Sequence, residues 1–191
     1  MSQPVSLAGK KVLVLIASGF EETELTGCQR ALMKAGASMK TASVDSGLAN
    51  GWHGNTWGHY HTIDLPVGET LASDFDCLLL PGGTRSIAKL KQSAHSRRII
   101  NTFMDGGKPV AAISQALELL ALAGSRLSGR TVTGPADLKG PVETLGALWS
   151  ETPVAADRNL VTTPGGAAME AFMPAMLSVF AAGPVAMAEA E

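Results

Sequence analysis

The sequence predicts an α/β fold, with a mostly parallel sheet covered by helices on both faces. Three observations carry this. Val12-Leu-Val-Leu-Ile16 and Phe75-Asp-Cys-Leu-Leu-Leu80 are apolar runs of strand length with little alternation, as strands buried on both faces require. Longer stretches of helical character separate such runs, the rhythm of parallel strands joined by helical crossovers. Glycines close the segments, notably Gly36, Gly106 and Gly107.

Taken in order, the strand Val12 to Ile16 is followed by Ala17-Ser-Gly-Phe-Glu-Glu-Thr-Glu-Leu25, a turn opening a helix with acidic first residues, which the helix dipole favours. That helix is expected to run to about Ala35, before a strand from Met39 to Val44. Gly47 to Val67 mixes Gly, Asn, Trp and His, with alternation from His59 onward, and reads as a hairpin outside the crossover rhythm. The strand Phe75 to Leu80 ends in Pro81-Gly82-Gly83. A helix is expected from about Ser93 to Asp105. The strand Lys108-Pro-Val-Ala-Ala-Ile113 then runs straight into the helix Gln115 to Ala123. A short strand Thr131 to Thr133, a helix around Val142 to Leu148 and a strand Leu160 to Thr163 follow. The last helix is expected to carry Pro174 in its first turn and to end near Ala182, leaving a frayed tail from Pro184 to Glu191.

The chain of 191 residues is expected to form a single domain over 1–191, with its core at about 11–182. Hydrophobic residues make up 46% and charged residues 17%, a globular rather than disordered composition. The net charge of −2, with no basic stripe, gives nucleic acid no electrostatic footprint. No apolar stretch approaches the ~20 residues of a membrane span, and the N-terminus lacks the pattern of a signal peptide. Cys28 falls in a predicted helix and Cys77 in a predicted central strand, so no disulfide framework is expected and the reading is cytoplasmic.

Ligands on such sheets bind beyond the carboxyl ends of the strands. Ser18-Gly-Phe-Glu21, Pro81-Gly82-Gly83 and Ser114-Gln115 all end there, which argues for one shared site. Ser114 sits where a strand turns sharply into a helix, the arrangement that presents a nucleophile and aims amide N–H groups at the same space. Ala112-Ile-Ser-Gln-Ala116 nonetheless lacks the glycines of a Gly-x-Ser-x-Gly elbow.

Phe20-Glu-Glu-Thr-Glu-Leu25, the Trp52 to Asp64 region, Leu79-Leu-Pro-Gly-Gly83, Gly107-Lys-Pro-Val-Ala-Ala-Ile113, Leu127-Ser-Gly-Arg-Thr-Val-Thr133 and Asn159-Leu-Val-Thr162 are each short. In this order and spacing they resemble the ThiJ/PfpI family from about Lys11 to Ala182. The resemblance implies a flavodoxin-like three-layer α/β/α sandwich, a cytoplasmic homodimer and no cofactor. It also implies a site at the elbow, where Glu24 matches a family acid that lies against the elbow residue. The family carries Cys followed by His at the positions of Ser114 and Gln115. Its peptidase branch places a carboxylate near Ser86-Ile87.

These departures bear on chemistry. A thiol has a pKa near ~8.5 and is easily lowered, whereas a serine hydroxyl needs a positioned base. Gln115 cannot take a proton, and Glu24 at the ordinary ~4.3 is a poor base for an alcohol. None of His53, His59, His61 and His95 falls at a family catalytic position. Gly82 and Gly83 are candidates for letting backbone and amide donors approach a ligand, or are simply a tight turn. Arg85 is a candidate anion binder or an exposed arginine. The histidines lack a Cys or acidic partner at suitable spacing, so no metal is expected. Cys28, one turn after Glu24, is a displaced redox thiol or a small buried hydrophobe.

Two functions follow. One is a divergent member without the cysteine chemistry, a pseudoenzyme or stress-related protein keeping a pocket for a small carbonyl- or carboxylate-bearing ligand. The other is a glyoxalase-, deglycase- or amidase/peptidase-like enzyme using Ser114 in place of Cys, with Glu24. In either, Gly82, Gly83, Gln115 and Arg85 are the candidate ligand-binding residues.

Overall fold

The computed structural model describes residues 4–186. In chain order these form β1 (Lys11–Leu15), β2 (Phe20–Glu21), α1 (Glu22–Lys34), β3 (Ser38–Ser43), β4 (Leu48–His53), β5 (Thr56–Thr62) and β6 (Leu65–Pro66). Next come β7 (Cys77–Leu80), α2 (Thr84–Lys91), α3 (Ala94–Asp105), β8 (Val110–Ile113) and α4 (Leu117–Ala121). The chain closes with β9 (Thr131–Val132), α5 (Lys139–Thr144), β10 (Leu148–Trp149), β11 (Ala155–Asp157), β12 (Leu160–Thr163) and α6 (Met169–Ala182).

Seven strands form the central sheet in the order β11-β12-β8-β7-β1-β3-β6. All its pairings are parallel except β11 with β12 at the edge. Successive side chains on a strand point to opposite faces, so each central strand feeds two cores. Leu13, Leu15, Leu78, Leu80, Val110 and Ala112 pack on one side with Ile87 and Leu90 of α2, Ile99 and Phe103 of α3, and Leu117 and Leu120 of α4. Val12, Val14, Cys77, Leu79, Ala111 and Ile113 pack on the other with Leu25, Cys28 and Leu32 of α1 and Phe172, Met176 and Phe180 of α6. This is the flavodoxin-like α/β sandwich expected from the sequence. Cys28 and Cys77 are free thiols buried in the second core, and burial pushes both up to about 12.

The segment Gly47 to Val67 lies outside the crossover pattern only as far as Thr62, because Leu65–Pro66 returns to the central sheet as β6, parallel to β3. β4 and β5 form an antiparallel hairpin that pairs with β2, immediately before α1. The hairpin therefore grips the loop leading from β1 to α1.

Three differences from the sequence reading have physical causes. No element was expected over Thr84–Lys91, yet α2 forms there. Its N-cap is Gly83, which offers no side-chain oxygen to the first turn, so the usual start signal is missing. α5 begins at Lys139 and ends at Thr144, earlier than expected, because Leu148 and Trp149 pair in parallel with Thr131 and Val132. Pro174 lies inside α6 rather than in its first turn, which is built from Met169 and Glu170. Pro174 has no N–H to give the carbonyl of Glu170, and both residues are exposed. Of the tail expected to fray, residues 187–191 lie outside the described residues.

Candidate active site at the elbow

β8 lies between β7 and β12, and all three run parallel. Their carboxyl ends therefore emerge side by side, with Ser114 in the middle. β7 is followed by Pro81-Gly82-Gly83 and β12 by Pro164-Gly165-Gly166, so two Pro-Gly-Gly turns flank the elbow. Ser114 has φ 54°, in the left-handed region that a residue with a Cβ occupies at a cost. The strain is the geometry of a strand handed directly to a helical turn, Ser114–Ala116, which leads into α4.

Glu24 enters from the first turn of α1. Its placement rests on the loop from Ala17 to Glu21, which is tied on several sides. The Ala17 amide donates to Ser86 Oγ at 2.9 Å, the Gly19 amide to the Asn50 carbonyl at 2.7 Å and the Glu21 amide to the Gly82 carbonyl at 2.9 Å. Ser86, at the position where the family's peptidase branch has a carboxylate, is thus a buried structural acceptor. Glu24 Oε2 accepts the Gly82 amide at 2.7 Å.

Both flanking turns need glycine here. A Cβ on Gly82 would sit 2.8 Å from Glu24 Oε2 and 3.0 Å from Ser114 Cβ. A Cβ on Gly165 would sit 2.7 Å from Glu24 Oε1 and 3.5 Å from Ser114 Cβ. The carboxyl group therefore lies in a slot between the two turns, beside the elbow. Glu24 is only 6% exposed. Burial pushes its pKa up to about 7, with the Gly82 N–H pulling the other way and the Glu21 charge adding to the rise. The ordinary value of ~4.3 by which Glu24 was judged as a base is corrected upward, so both its protonated and its ionised forms are populated near neutral pH.

A cavity of about 450 Å³ opens over the elbow, lined by Glu21, Thr23, Glu24, Ser114, Gln115, Pro164, Gly166 and Met169. Ser114, Gln115 and Glu24 thus meet in one site. Ser114 Oγ hydrogen-bonds Gln115 Oε1 at 2.8 Å, so its proton faces an amide oxygen rather than a base.

The other sequence candidates lie elsewhere. Gly82 borders the site, but its amide is already committed to Glu24. Gly83, with φ 110°, packs against the backbone of Gly19 and Phe20, where no Cβ fits. Arg85 does not line the cavity; its guanidinium stacks 4.0 Å from the Trp52 ring centroid, with Trp57 beyond. His59 bonds the buried carboxylate of Glu22 and His61 meets Phe20 edge to face at 5.0 Å. Among the described residues, no three His, Cys, Asp or Glu side chains are grouped as a metal site. Thr23, Pro164, Gly166 and Met169 were missed by sequence reasoning. The repeated Pro-Gly-Gly after a buried strand was the available signal for the last three.

The family model of the DJ-1/PfpI family matches residues 10–179. The chain belongs to the DJ-1/PfpI family. A deglycase from Thermococcus kodakarensis is 34% identical over 154 residues, covering 80% of this chain and 89% of the relative. Protein/nucleic acid deglycase 2 of Escherichia coli is 31% identical, covering 81% of this chain and 87% of the relative. Among solved structures, a ThiJ/PfpI domain protein from Brachyspira murdochii superposes with a TM-score of 0.80 at 24% identity, over 92% of this chain and 98% of that one. A two-domain protein from Anabaena variabilis with DJ-1/ThiJ/PfpI-like and ferritin-like domains gives 0.81 at 26% identity. That match covers 88% of this chain and 47% of that one.

Proposed function

We propose that this chain is a small-molecule-binding member of the DJ-1/PfpI family that works without the family's cysteine chemistry. The observation that carries this is the Ser114–Gln115 pair. The hydroxyl is bonded to an amide oxygen, and no histidine lines the cavity among the described residues. A serine nucleophile needs a base within hydrogen-bond reach of its proton, held by a third group. The preserved elbow, the buried Glu24 and a cavity of about 450 Å³ support retention of a ligand pocket.

A second reading rests on a different observation. Glu24 at about 7 exchanges a proton at neutral pH, which suits a general acid or base. Together with the strained Ser114, this supports a serine-dependent enzyme acting on small carbonyl compounds, and the relatives named as deglycases favour it equally.

Lactate formation from methylglyoxal separates the two. The native protein is compared with Ser114→Ala and with the double variant Ser114→Cys/Gln115→His. The binding reading expects a silent native protein, with activity gained only in the double variant. Native turnover that disappears in Ser114→Ala establishes the serine enzyme instead. The family resemblance also supports a homodimer, and a monomer mass in light scattering would remove that part of the proposal.

A further inference from the structure

The cavity over the elbow has an unusual charge inventory. Among the described residues its lining includes two carboxyl groups, Glu21 and Glu24, and no Lys, Arg or His. The nearby arginine, Arg85, is stacked on Trp52 instead. The remaining walls are Thr23, Ser114, Gln115, Pro164, Gly166 and Met169, none of them charged. Its hydrogen-bonding groups are mixed, since the Gln115 NH2 group can still donate, so the missing positive charge is what sets the cavity apart. The Gly82 amide, an obvious donor at the elbow, is taken by Glu24 Oε2. Glu24 Oε1 accepts no hydrogen bond from any described residue, and Gln115 Oε1 is already the acceptor for Ser114 Oγ.

The N-terminal ends of α1 and α6 both border this cavity, through Glu21, Thr23 and Glu24 and through Met169, and each contributes a positive field equivalent to about half a charge. Together they offset only part of the combined charge of Glu21 and the ionised fraction of Glu24. An anion entering would lose hydration without gaining a cationic partner. A cation would gain Glu21 and Glu24 at short range in a partly enclosed space, where Coulomb terms are strengthened.

Building on the binding reading above, we propose that the elbow cavity selects small cationic ligands with N–H donors, an alkylammonium or alkylguanidinium, and rejects carboxylates. Glu21 receives the ligand at the mouth, and Glu24 Oε1 takes an N–H deeper in. Because a bound cation favours the charged form of Glu24, binding near pH 7 expels part of the proton that Glu24 holds in the free protein.

The test is isothermal titration at pH 7 with four probes of matched size: butylguanidinium, butylammonium, valeramide and valerate. Each is run in two buffers of different ionisation enthalpy, which reads proton release directly. The expected order is guanidinium and ammonium about tenfold or more tighter than valerate, with valeramide between and the preference shrinking at high salt. Proton release is expected for the cations and lost in Glu24→Gln. Glu21→Gln should reduce the cation preference several-fold while proton release persists. Equal or tighter binding of valerate, or proton uptake with the cations, overturns the charge selectivity and leaves the pocket reading standing. Failure of all four probes to bind at millimolar concentration removes both.

Discussion

Glu24 and Gly82 are joined by a hydrogen bond of 2.7 Å from the Gly82 amide to the buried carboxyl group, across 58 residues of sequence. The bond links the first turn of α1 to the turn after β7, and it holds the acid beside Ser114. A glycine and a first-turn glutamate, each ordinary alone, become a site because the sheet order brings them together.

The contribution of Glu24 to stability should fall as pH rises through the acid range. The Glu24 pKa is raised from 4.5 to about 7 in the folded protein. Below 4.5 the carboxyl is protonated in both states and costs nothing. Between 4.5 and 7 the unfolded chain ionises while the folded protein holds its proton, so unfolding becomes progressively easier, and above about 7 the penalty is complete. Its upper size is about 3 kcal/mol. Glu24→Gln keeps an acceptor for the Gly82 amide and removes the charge. Urea denaturation from pH 4 to 8 should show the variant gaining stability relative to the native protein as pH rises. Parallel profiles would mean that Glu24 is not the group responsible.

Gly82→Ala should damage the elbow more than an exposed glycine substitution does. The added methyl meets Glu24 Oε2 at 2.8 Å, the Ile113 carbonyl at 3.0 Å and Ser114 Cβ at 3.0 Å. None of these can yield without moving the acid, the end of β8 or the strained elbow residue. A loss of about 1–3 kcal/mol is expected, as for overpacking elsewhere. Gly140→Ala, where a Cβ meets nothing within 4 Å, is the control and should cost far less. Equal denaturation midpoints for the two variants would show that the slot around Glu24 is soft.

The hairpin is clamped by a neighbouring acid. Glu22, only 8% exposed, accepts both the backbone amide of His59 at 2.9 Å and its ring Nδ1–H, and the absence of a side chain at Gly58 leaves room for the carboxylate. The His59 side-chain bond is the chief cause of the lowered Glu22 pKa, with burial opposing it. A lowered carboxyl pKa gives stability that is present above 4.5 and lost as pH falls through the folded value. Glu22→Gln should therefore speed hydrogen exchange in Thr56–Thr62 at pH 7 and leave exchange in Val110–Ile113 unchanged. Acidification should have the same local effect on the native protein.

Much of this architecture was legible because burial on both faces leaves a direct mark in Cys77-Leu-Leu-Leu80 and Val110-Ala-Ala-Ile113. The elbow was legible for the same reason, since a strand abutting a helix leaves only Ser114 for the turn. The environment of Glu24 was not. Its raised pKa comes from burial between the turns that carry Gly82 and Gly165, against the pull of the Gly82 N–H, and only the sheet order β12-β8-β7 brings these segments together. Arg85 is the exposed arginine of the second alternative, but its partners Trp52 and Trp57 lie on the hairpin, and no local pattern announces a cation–π stack. α2 was missed because a glycine N-cap carries no capping side chain.

The strain at Ser114 can be isolated by comparing two variants that both remove the hydroxyl. Ser114→Ala and Ser114→Gly each lose the Oγ bond to Gln115 Oε1, so that contribution cancels between them. What remains is the Cβ at φ 54°. At an ordinary helical position alanine is the more stable of the two by about 1 kcal/mol, since glycine loses more freedom on folding. At a left-handed position the Cβ meets the following carbonyl at a cost of about 1–2 kcal/mol, which reverses the order. Ser114→Gly is therefore expected to unfold at a higher urea concentration than Ser114→Ala. A β-branched Ser114→Val should be the least stable of the three, because its side chain is the worst suited to this conformation. If alanine proves more stable than glycine, the elbow relaxes once the hydroxyl is gone. The strain would then belong to the Ser114–Gln115 hydrogen bond rather than to the backbone junction of β8 with the turn before α4.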